Sequence, residues 1–383
     1  MRKILASITL LWMVMGCPTS SKAQKATQIP SKYRKIQKYV DQAVANGLVG
    51  LSFYIDHPKH GQWSYQAGYA ELESKSPITE SSVFYQGSIS KTYTAVIMLR
   101  LVEQGLLALD GKMSEYLPKD VADGFEYGDQ VTIRQLLNMT SGFPNFEYDE
   151  QALEDFFSGK LNLGSTPPPI VLEQYIYGQP ANFQPGERYQ YSSTNYILLC
   201  MIMEVVAGRP HEELYTEFFR EHGLNNTYYK NERAPSHLLV NGYADENDDG
   251  EFENSTQQQK AYVDWSYGED GITSTIDDMA RFMNLLLTGS IINEQSLEEM
   301  KTWGIPDNPR YGLGLMYDKG FPYKYFIGHS GWGFGTQANL MYFPEQDITI
   351  AIFCNTAYRF GGESIEKAHD KFLTRTAKKL FLF

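Results

Sequence analysis

The chain has 383 residues, 42% hydrophobic and 21% charged, enough apolar content for one large domain or two coupled ones. Its net charge of −13 leaves no electrostatic footprint for a nucleic-acid partner. Three cysteines without a Cys-x-x-Cys pair, and seven scattered histidines, give no credible structural zinc or transition-metal site.

The N-terminus reads as a targeting segment. Arg2 and Lys3 precede an apolar run from Ile4 to Met15, too short to span a bilayer but suited to a secretory leader over residues 1–23. Two processing readings stand side by side. Val14-Met15-Gly16-Cys17 looks like a bacterial lipobox that would leave Cys17 lipidated, and Ser21-Lys22-Ala23 looks like an ordinary small-x-small cleavage site. Either one exports the protein, to the periplasm or to the outer membrane of a bacterium as a lipoprotein, with residues 24–30 as a tether. A lipid at Cys17 is the only membrane contact expected. Cys200 and Cys354 lie in apolar runs and read as buried free thiols.

Ser31 can cap a helix in which Tyr33, Ile36, Val40 and Ala43 recur at helical spacing, with Gly47 as its stop. Leu51 to Asp56 and Trp63 to Ala67 alternate in polarity around a loop with Pro58 and Gly61, which predicts an antiparallel hairpin. Next comes Ser88-Ile89-Ser90-Lys91, opening a helix whose Ala95, Met98, Leu99, Val102 and Leu106 form one stripe. Three positions of separation put the serine hydroxyl and the lysine amine on one helix face. A serine hydroxyl is a poor nucleophile until a base takes its proton, and Ser-x-x-Lys is a signature of serine–lysine hydrolases. Taken alone, the same four residues also describe a helix cap followed by an exposed lysine.

From residue 109 to 264, short helical runs such as Val131–Met139 and Tyr196–Ala207 alternate with loops rich in Pro, Gly and Asn. Tyr191 follows the Pro185-Gly186 turn and directly precedes a helix start. A phenol fixed there can face a cleft or be a packed aromatic. Its ordinary pKa makes it an idle base at neutral pH, and a cation such as Lys91 nearby would favour the phenolate. Asp245-Glu246-Asn247-Asp248-Asp249-Gly250 matches the start of a calcium-binding EF-hand loop. Thr256 occupies the place of the bidentate glutamate, however, so the segment reads as a solvated acidic turn.

Strand-like runs resume at Tyr311–Tyr317, Tyr325–Gly328, Gln337–Phe343 and Ile348–Phe353, followed by a helix near Glu363–Leu380. Strands at both chain ends predict an α+β fold with one antiparallel sheet built from both termini. The domain would run from 31 to 383, with 31–108 and 265–383 forming its α/β part and 109–264 a large helical insertion. In Gly328-His329-Ser330-Gly331-Trp332-Gly333-Phe334-Gly335, glycines let backbone approach a ligand. An edge N–H there, together with that of Ser88, would make an oxyanion hole.

In combination these segments resemble the serine β-lactamase-like family: class C β-lactamases, D,D-carboxypeptidases, D-aminopeptidases and related esterases. Phe84 to Lys91 is similar to its first motif, and Val131-Thr132-Ile133-Arg134-Gln135-Leu136-Leu137-Asn138-Met139-Thr140-Ser141-Gly142-Phe143-Pro144 to its "ITIRHLLTHTSGLP" segment. Tyr191-Ser192-Ser193 stands where the family has Tyr-x-Asn, and His329-Ser330-Gly331 where it has Lys-Thr-Gly or His-x-Gly. The resemblance implies a Ser88 acyl-enzyme, Lys91 and Tyr191 sharing the proton traffic, and Ser88 and Trp332 N–H groups holding the oxyanion. His329, Gly331 and Ser193 would shape the substrate site, and no metal or organic cofactor is required. The substrate would be a small molecule or peptide, including peptidoglycan-derived ones. Ser193 and His329 depart from the β-lactamase pattern, and Glu269-Asp270 adds negative charge near an expected rim. These departures favour a D,D-carboxypeptidase or esterase over a class C-like β-lactamase. A non-catalytic envelope protein that binds peptidoglycan or peptide is the reading from another class.

Overall fold

The computed structural model describes residues 33–245, 249, 251–303, 311–318, 325–357, 371–376, 378 and 379. The leader, Cys17, the tether and the Ser31 cap fall outside these, as do most of the acidic turn at 245–250 and most of the expected C-terminal helix. Of that helix, residues 371–376, 378 and 379 are described, and they are helical.

Helix α1 (Tyr33–Ala45) buries Tyr33, Ile36, Val40 and Ala43 along one stripe. Strands β1 (Gly50–His57) and β2 (Gly61–Glu71) form the expected hairpin, which the two-residue β3 (Ser76–Pro77) extends. A short β4 (Phe84–Tyr85) leads through a 3-10 turn at Gly87–Ile89 into α2 (Ser90–Glu103). Between residues 109 and 264 the helices are α3 (Lys119–Asp123), α4 (Ile133–Leu137), α5 (Glu150–Phe157), α6 (Pro168–Tyr175), α7 (Thr194–Ala207), α8 (His211–Glu221) and nearly all of α9 (Thr256–Trp265). Short strands β5 (Thr227–Tyr229), β6 (Tyr243–Ala244) and β7 (Glu253–Asn254) interrupt them. Then come β8 (Ile272–Ser274), α10 (Ile276–Leu287) and α11 (Glu294–Met300). Five strands close the chain: β9 (Met316–Asp318), β10 (Phe326–Gly333), β11 (Thr336–Phe343), β12 (Ile348–Cys354) and β13 (Thr356–Ala357).

The main sheet has seven strands in the order β3-β2-β1-β12-β11-β10-β9, every neighbouring pair antiparallel. The register Phe53↔Ile352 joins the two chain ends at its centre. This is the α+β arrangement expected from the strand-like runs at both termini. Period-two alternation divides β12 between two cores. Ile348, Ile350 and Ile352 pack with Tyr33, Ile36 and Val40 of α1. Ala351 and Phe353 face the larger core, which holds Tyr93 of α2, Ile197 of α7 and Phe282 of α10.

Three elements are shorter than their sequence patterns, the first being α2, which ends at Glu103 and leaves Leu106 of its expected stripe beyond it and exposed. The 131–139 helix begins only after Thr132, whose side chain and that of Gln135 make a reciprocal capping box, and it is over before Met139, which takes a φ of 64°. The 311–317 strand shrinks to Met316–Asp318 because Gly314, at φ 69°, and the Gly312 N–H to Leu315 C=O bond turn the chain first.

Candidate active site

Ser88 sits in the 3-10 turn, half-buried, and Lys91 follows in the first turn of α2 with no exposed surface. The Lys91 Nζ lies 3.0 Å from Ser88 Oγ and 2.8 Å from the Glu269 carbonyl oxygen. Burial pushes the Lys91 pKa below its ordinary 10.5, while the negative charges of Glu147, Glu269 and Asp270 oppose that fall. An amine that gives up its proton more readily than usual, beside a serine hydroxyl, is a base in reach of a nucleophile.

Tyr191 comes to the same place from the far side of the insertion. Its ring centroid is 5.0 Å from Lys91 Nζ, and the Ser88 hydroxyl reaches the phenol and eases its ionisation. Burial and the Glu147 charge outweigh that help and raise the phenol well above 10.0. The nearby cation does not prevail: Tyr191 rests as a neutral hydroxyl, because it loses more by desolvation than it gains from its neighbours. Tyr196, one turn into α7, packs 5.8 Å from Lys91 Nζ and anchors itself by donating to the Leu137 carbonyl at 3.0 Å.

Strand β10 closes the opposite wall. Its backbone runs so near the Ser88 turn that a Cβ on Gly331 would lie 1.9 Å from the Gln86 carbonyl oxygen and 3.0 Å from the Ser88 nitrogen. A Cβ on Gly87, at φ 57°, would lie 2.8 Å from the Trp332 nitrogen. Both positions exclude a side chain, and their approach brings the Ser88 and Trp332 backbone nitrogens to one side of the nucleophile. The Trp332 side chain is 40% exposed at the rim.

The carbonyl that meets Lys91 belongs to a strap at residues 266–271. Tyr229 Oη accepts from Gly268 N–H at 3.0 Å and donates to the Ser266 carbonyl at 3.3 Å, and Thr94 Oγ1 donates to the Gly268 carbonyl at 2.6 Å. A Cβ on Gly268, at φ 95°, would lie 2.3 Å from Cys200 Sγ. The lysine's acceptor is thus held by three elements: α2, α7 and β5.

Comparison with known proteins settles the lineage. The family model described as Beta-lactamase matches residues 36–372. The chain belongs to the beta-lactamase family of serine hydrolases. Among curated members, penicillin-binding protein 4* of Bacillus subtilis (strain 168) is 27% identical over 304 residues, covering 76% of this chain and 65% of that protein. The N-acetylmuramyl-L-alanine amidase of the same strain is 24% identical over 382 residues, covering 88% of this chain and 84% of that protein. The D-amino acid amidase from Ochrobactrum anthropi SV3, complexed with D-phenylalanine, shares the fold at a TM-score of 0.77 and 23% identity, covering 92% of this chain and 99% of that one.

Three departures from the beta-lactamase pattern take on new meaning in the fold. His329 is 2% exposed and does not stand in the cleft as a cation. Its Nδ1 is 2.6 Å from the Ser330 carbonyl oxygen and its Nε2 is 3.1 Å from Tyr311 Oη. These partners assign a neutral ring, donating at Nδ1 and accepting at Nε2. Burial takes its pKa from 6.5 down to about 3, so His329 is an uncharged wall residue. Ser193 has no exposed surface, and its hydroxyl has no hydrogen-bond partner among the described residues. Glu269 and Asp270 lie beneath the site instead of on its rim, at 0% and 4% exposure. Burial raises both carboxyls, Asp270 to about 7.

Sequence reading missed the residues that follow Pro144. Asn145 Oδ1 accepts from Ser193 N–H at 3.0 Å, and Phe146 N–H donates to Thr194 Oγ1 at 3.1 Å, fixing the 144–147 loop against the start of α7. Glu147 is carried on that loop, half-buried beside the cleft. The signal lay in its position directly after the Thr140-Ser141-Gly142-Phe143-Pro144 motif. Tyr262 and Tyr311 were missed for a different reason: among 27 tyrosines nothing in sequence marks them.

Proposed function

We propose that this protein hydrolyses an amide or ester bond through a Ser88 acyl-enzyme. The observation that carries the reading is the buried Lys91 amine, its pKa depressed, 3.0 Å from the Ser88 hydroxyl. Lys91 takes the Ser88 proton as Oγ attacks the carbonyl carbon. The oxyanion that forms is held by the Ser88 and Trp332 N–H groups. The C–N or C–O bond then breaks, and the leaving group collects a proton from Tyr191, which recovers it from Lys91. Water releases the acyl group by the same steps in reverse, with the lysine and phenol acting as one coupled pair.

Within this chemistry, the neutral His329 and the acids around Lys91 favour substrates without a carboxylate at the scissile end. An esterase or amidase fits that electrostatics better than a D,D-carboxypeptidase or a class C-like β-lactamase. The D,D-carboxypeptidase remains the second reading, supported by the likeness to penicillin-binding protein 4*. The leader read at residues 1–23 supports an exported enzyme; mass spectrometry of the mature N-terminus distinguishes a lipid on Cys17 from cleavage after Ala23.

The test is covalent. A fluorophosphonate probe labels Ser88 in the wild type and nothing in Ser88→Ala. Labelling at another residue, or cell-wall fragment binding unaffected by Ser88→Ala with no ester turnover, sinks the proposal in favour of a binding protein. Parallel turnover of a p-nitrophenyl ester, an amino-acid amide, a D-Ala-D-Ala peptide and a chromogenic cephalosporin then orders the substrate classes.

A further inference from the structure

Glu147 is a half-buried carboxylate whose charge acts on Lys91, Tyr191, Glu269 and Asp270, which locates it at the cleft. Its hydrogen-bond partners are neutral. Tyr262 Oη donates to Oε1 at 2.7 Å and Asn145 Nδ2 lies 3.3 Å from Oε2. Among the described residues no lysine, arginine or histidine forms an ion pair with it. The loop beneath is fixed to α7 through Asn145 and Phe146, so the carboxylate is held in place before any ligand arrives.

The wall beside it is aromatic. Tyr262 packs against Phe334, their centroids 5.9 Å apart, and Phe334 stacks on Phe156 at 5.7 Å. Phe334 follows Trp332 by two residues, and Phe157, next to Phe156, is 72% exposed. The other acids near the reacting groups, Glu269 and Asp270, are buried under the site, so of the three only Glu147 reaches the surface. A fixed carboxylate with no ion pair among the described residues, next to an apolar wall, is suited to an ammonium group carried on an apolar body.

Building on the acyl-enzyme reading, we propose that Glu147 is a specificity-determining residue that binds the free amine of an aminoacyl substrate, with the aromatic wall receiving its apolar side chain. The substrate class is then an amide or ester of an amino acid whose α-amine is unblocked.

The experiment compares phenylalanine p-nitroanilide, in both configurations, with the N-acetylated compounds, near pH 7 where the α-amine is largely protonated. Wild type prefers the free amine of at least one configuration, and Glu147→Gln reduces that preference ratio by about ten- to a hundredfold, the loss of one charge-assisted hydrogen bond. Using a ratio cancels any general effect of the substitution on folding or on Lys91. Glu147→Asp, which keeps the charge on a shorter stem, restores part of the preference. Failure of the fluorophosphonate to label Ser88 overturns the acyl-enzyme reading itself. Labelling without turnover of either free-amine substrate, equal rates for free and acetylated compounds, or a ratio unmoved by Glu147→Gln overturns this inference alone.

Discussion

At the scale of single residues, burial decides which ionisable groups carry charge. In the proposed mechanism Lys91 is the base, and Lys91→Met then lowers kcat roughly 10²–10⁴-fold, the usual loss when a general base is removed. In the wild type, kcat/KM rises with pH as the amine loses its proton, with a midpoint below 10.5; a profile flat across that limb contradicts the role. Two other groups act on stability with opposite signs. His329 titrates at 6.5 when unfolded and about 3 when folded, so the unfolded chain binds more protons between those values and stability falls as pH drops through the window. Asp270 titrates at 3.8 unfolded and about 7 folded, so here the folded chain binds more protons and stability falls as pH rises from one to the other. Urea titrations at stepped pH therefore show His329→Gln flattening the acid-side loss and Asp270→Asn flattening the loss towards pH 7. Neither behaviour was legible in sequence. His329 and Glu269-Asp270 could be read as charged groups, but their environment is set by Tyr311, the Ser330 carbonyl and the strap, which no local pattern specifies.

At the scale of elements, the site is a meeting of backbones. Helix α2 was legible because Ala95, Met98 and Leu99 of its stripe are buried, although Leu106 falls beyond its end, and the hairpin of β1 and β2 because its alternation is clean. The approach of β10 to the Ser88 turn was legible only as a run of glycines; what Gly331 avoids there is the Gln86 carbonyl and the Ser88 nitrogen. Gly331→Ala places a methyl group 1.9 Å from the Gln86 carbonyl oxygen and must move strand and turn apart. The two N–H groups proposed to hold the oxyanion then separate, and kcat falls roughly 10²–10³-fold, the loss seen when one such donor is removed. Steady-state kinetics with a p-nitrophenyl ester test this, and an unchanged kcat removes Trp332 from the oxyanion site. The 266–271 strap had no comparable signature, since its anchors at Thr94 and Tyr229 are 174 and 39 residues away from Gly268.

For the whole molecule, the sheet is the device that lets distant residues converge. β1 and β12 are neighbours at its centre, and β11 and β10 follow outward, so the wall of the cleft depends on the last strands to be synthesised. A chain ending at residue 335 keeps Ser88, Lys91, Tyr191 and Trp332 but loses the strands that connect β10 to β1. It fails to react with the fluorophosphonate, whereas the full chain does; labelling of the truncated form refutes the dependence. The fold class was legible because strand patterns stood at both ends with helices between. Pairing order and register were not, because they follow from packing between segments 300 residues apart, such as Leu51 with Cys354. That same register governs how the molecule yields to mechanical tension. Leu51 opposes Cys354 and Asp56 opposes Thr349, so β1 starts where β12 stops. Once α1, the terminal helical residues and β13, which pairs with β6, detach, a pull on the two ends loads this ladder like a zipper, rung after rung, and never as a lap joint sharing the load. The protein gives way at low force, and the seam that parts first is the one its two halves share.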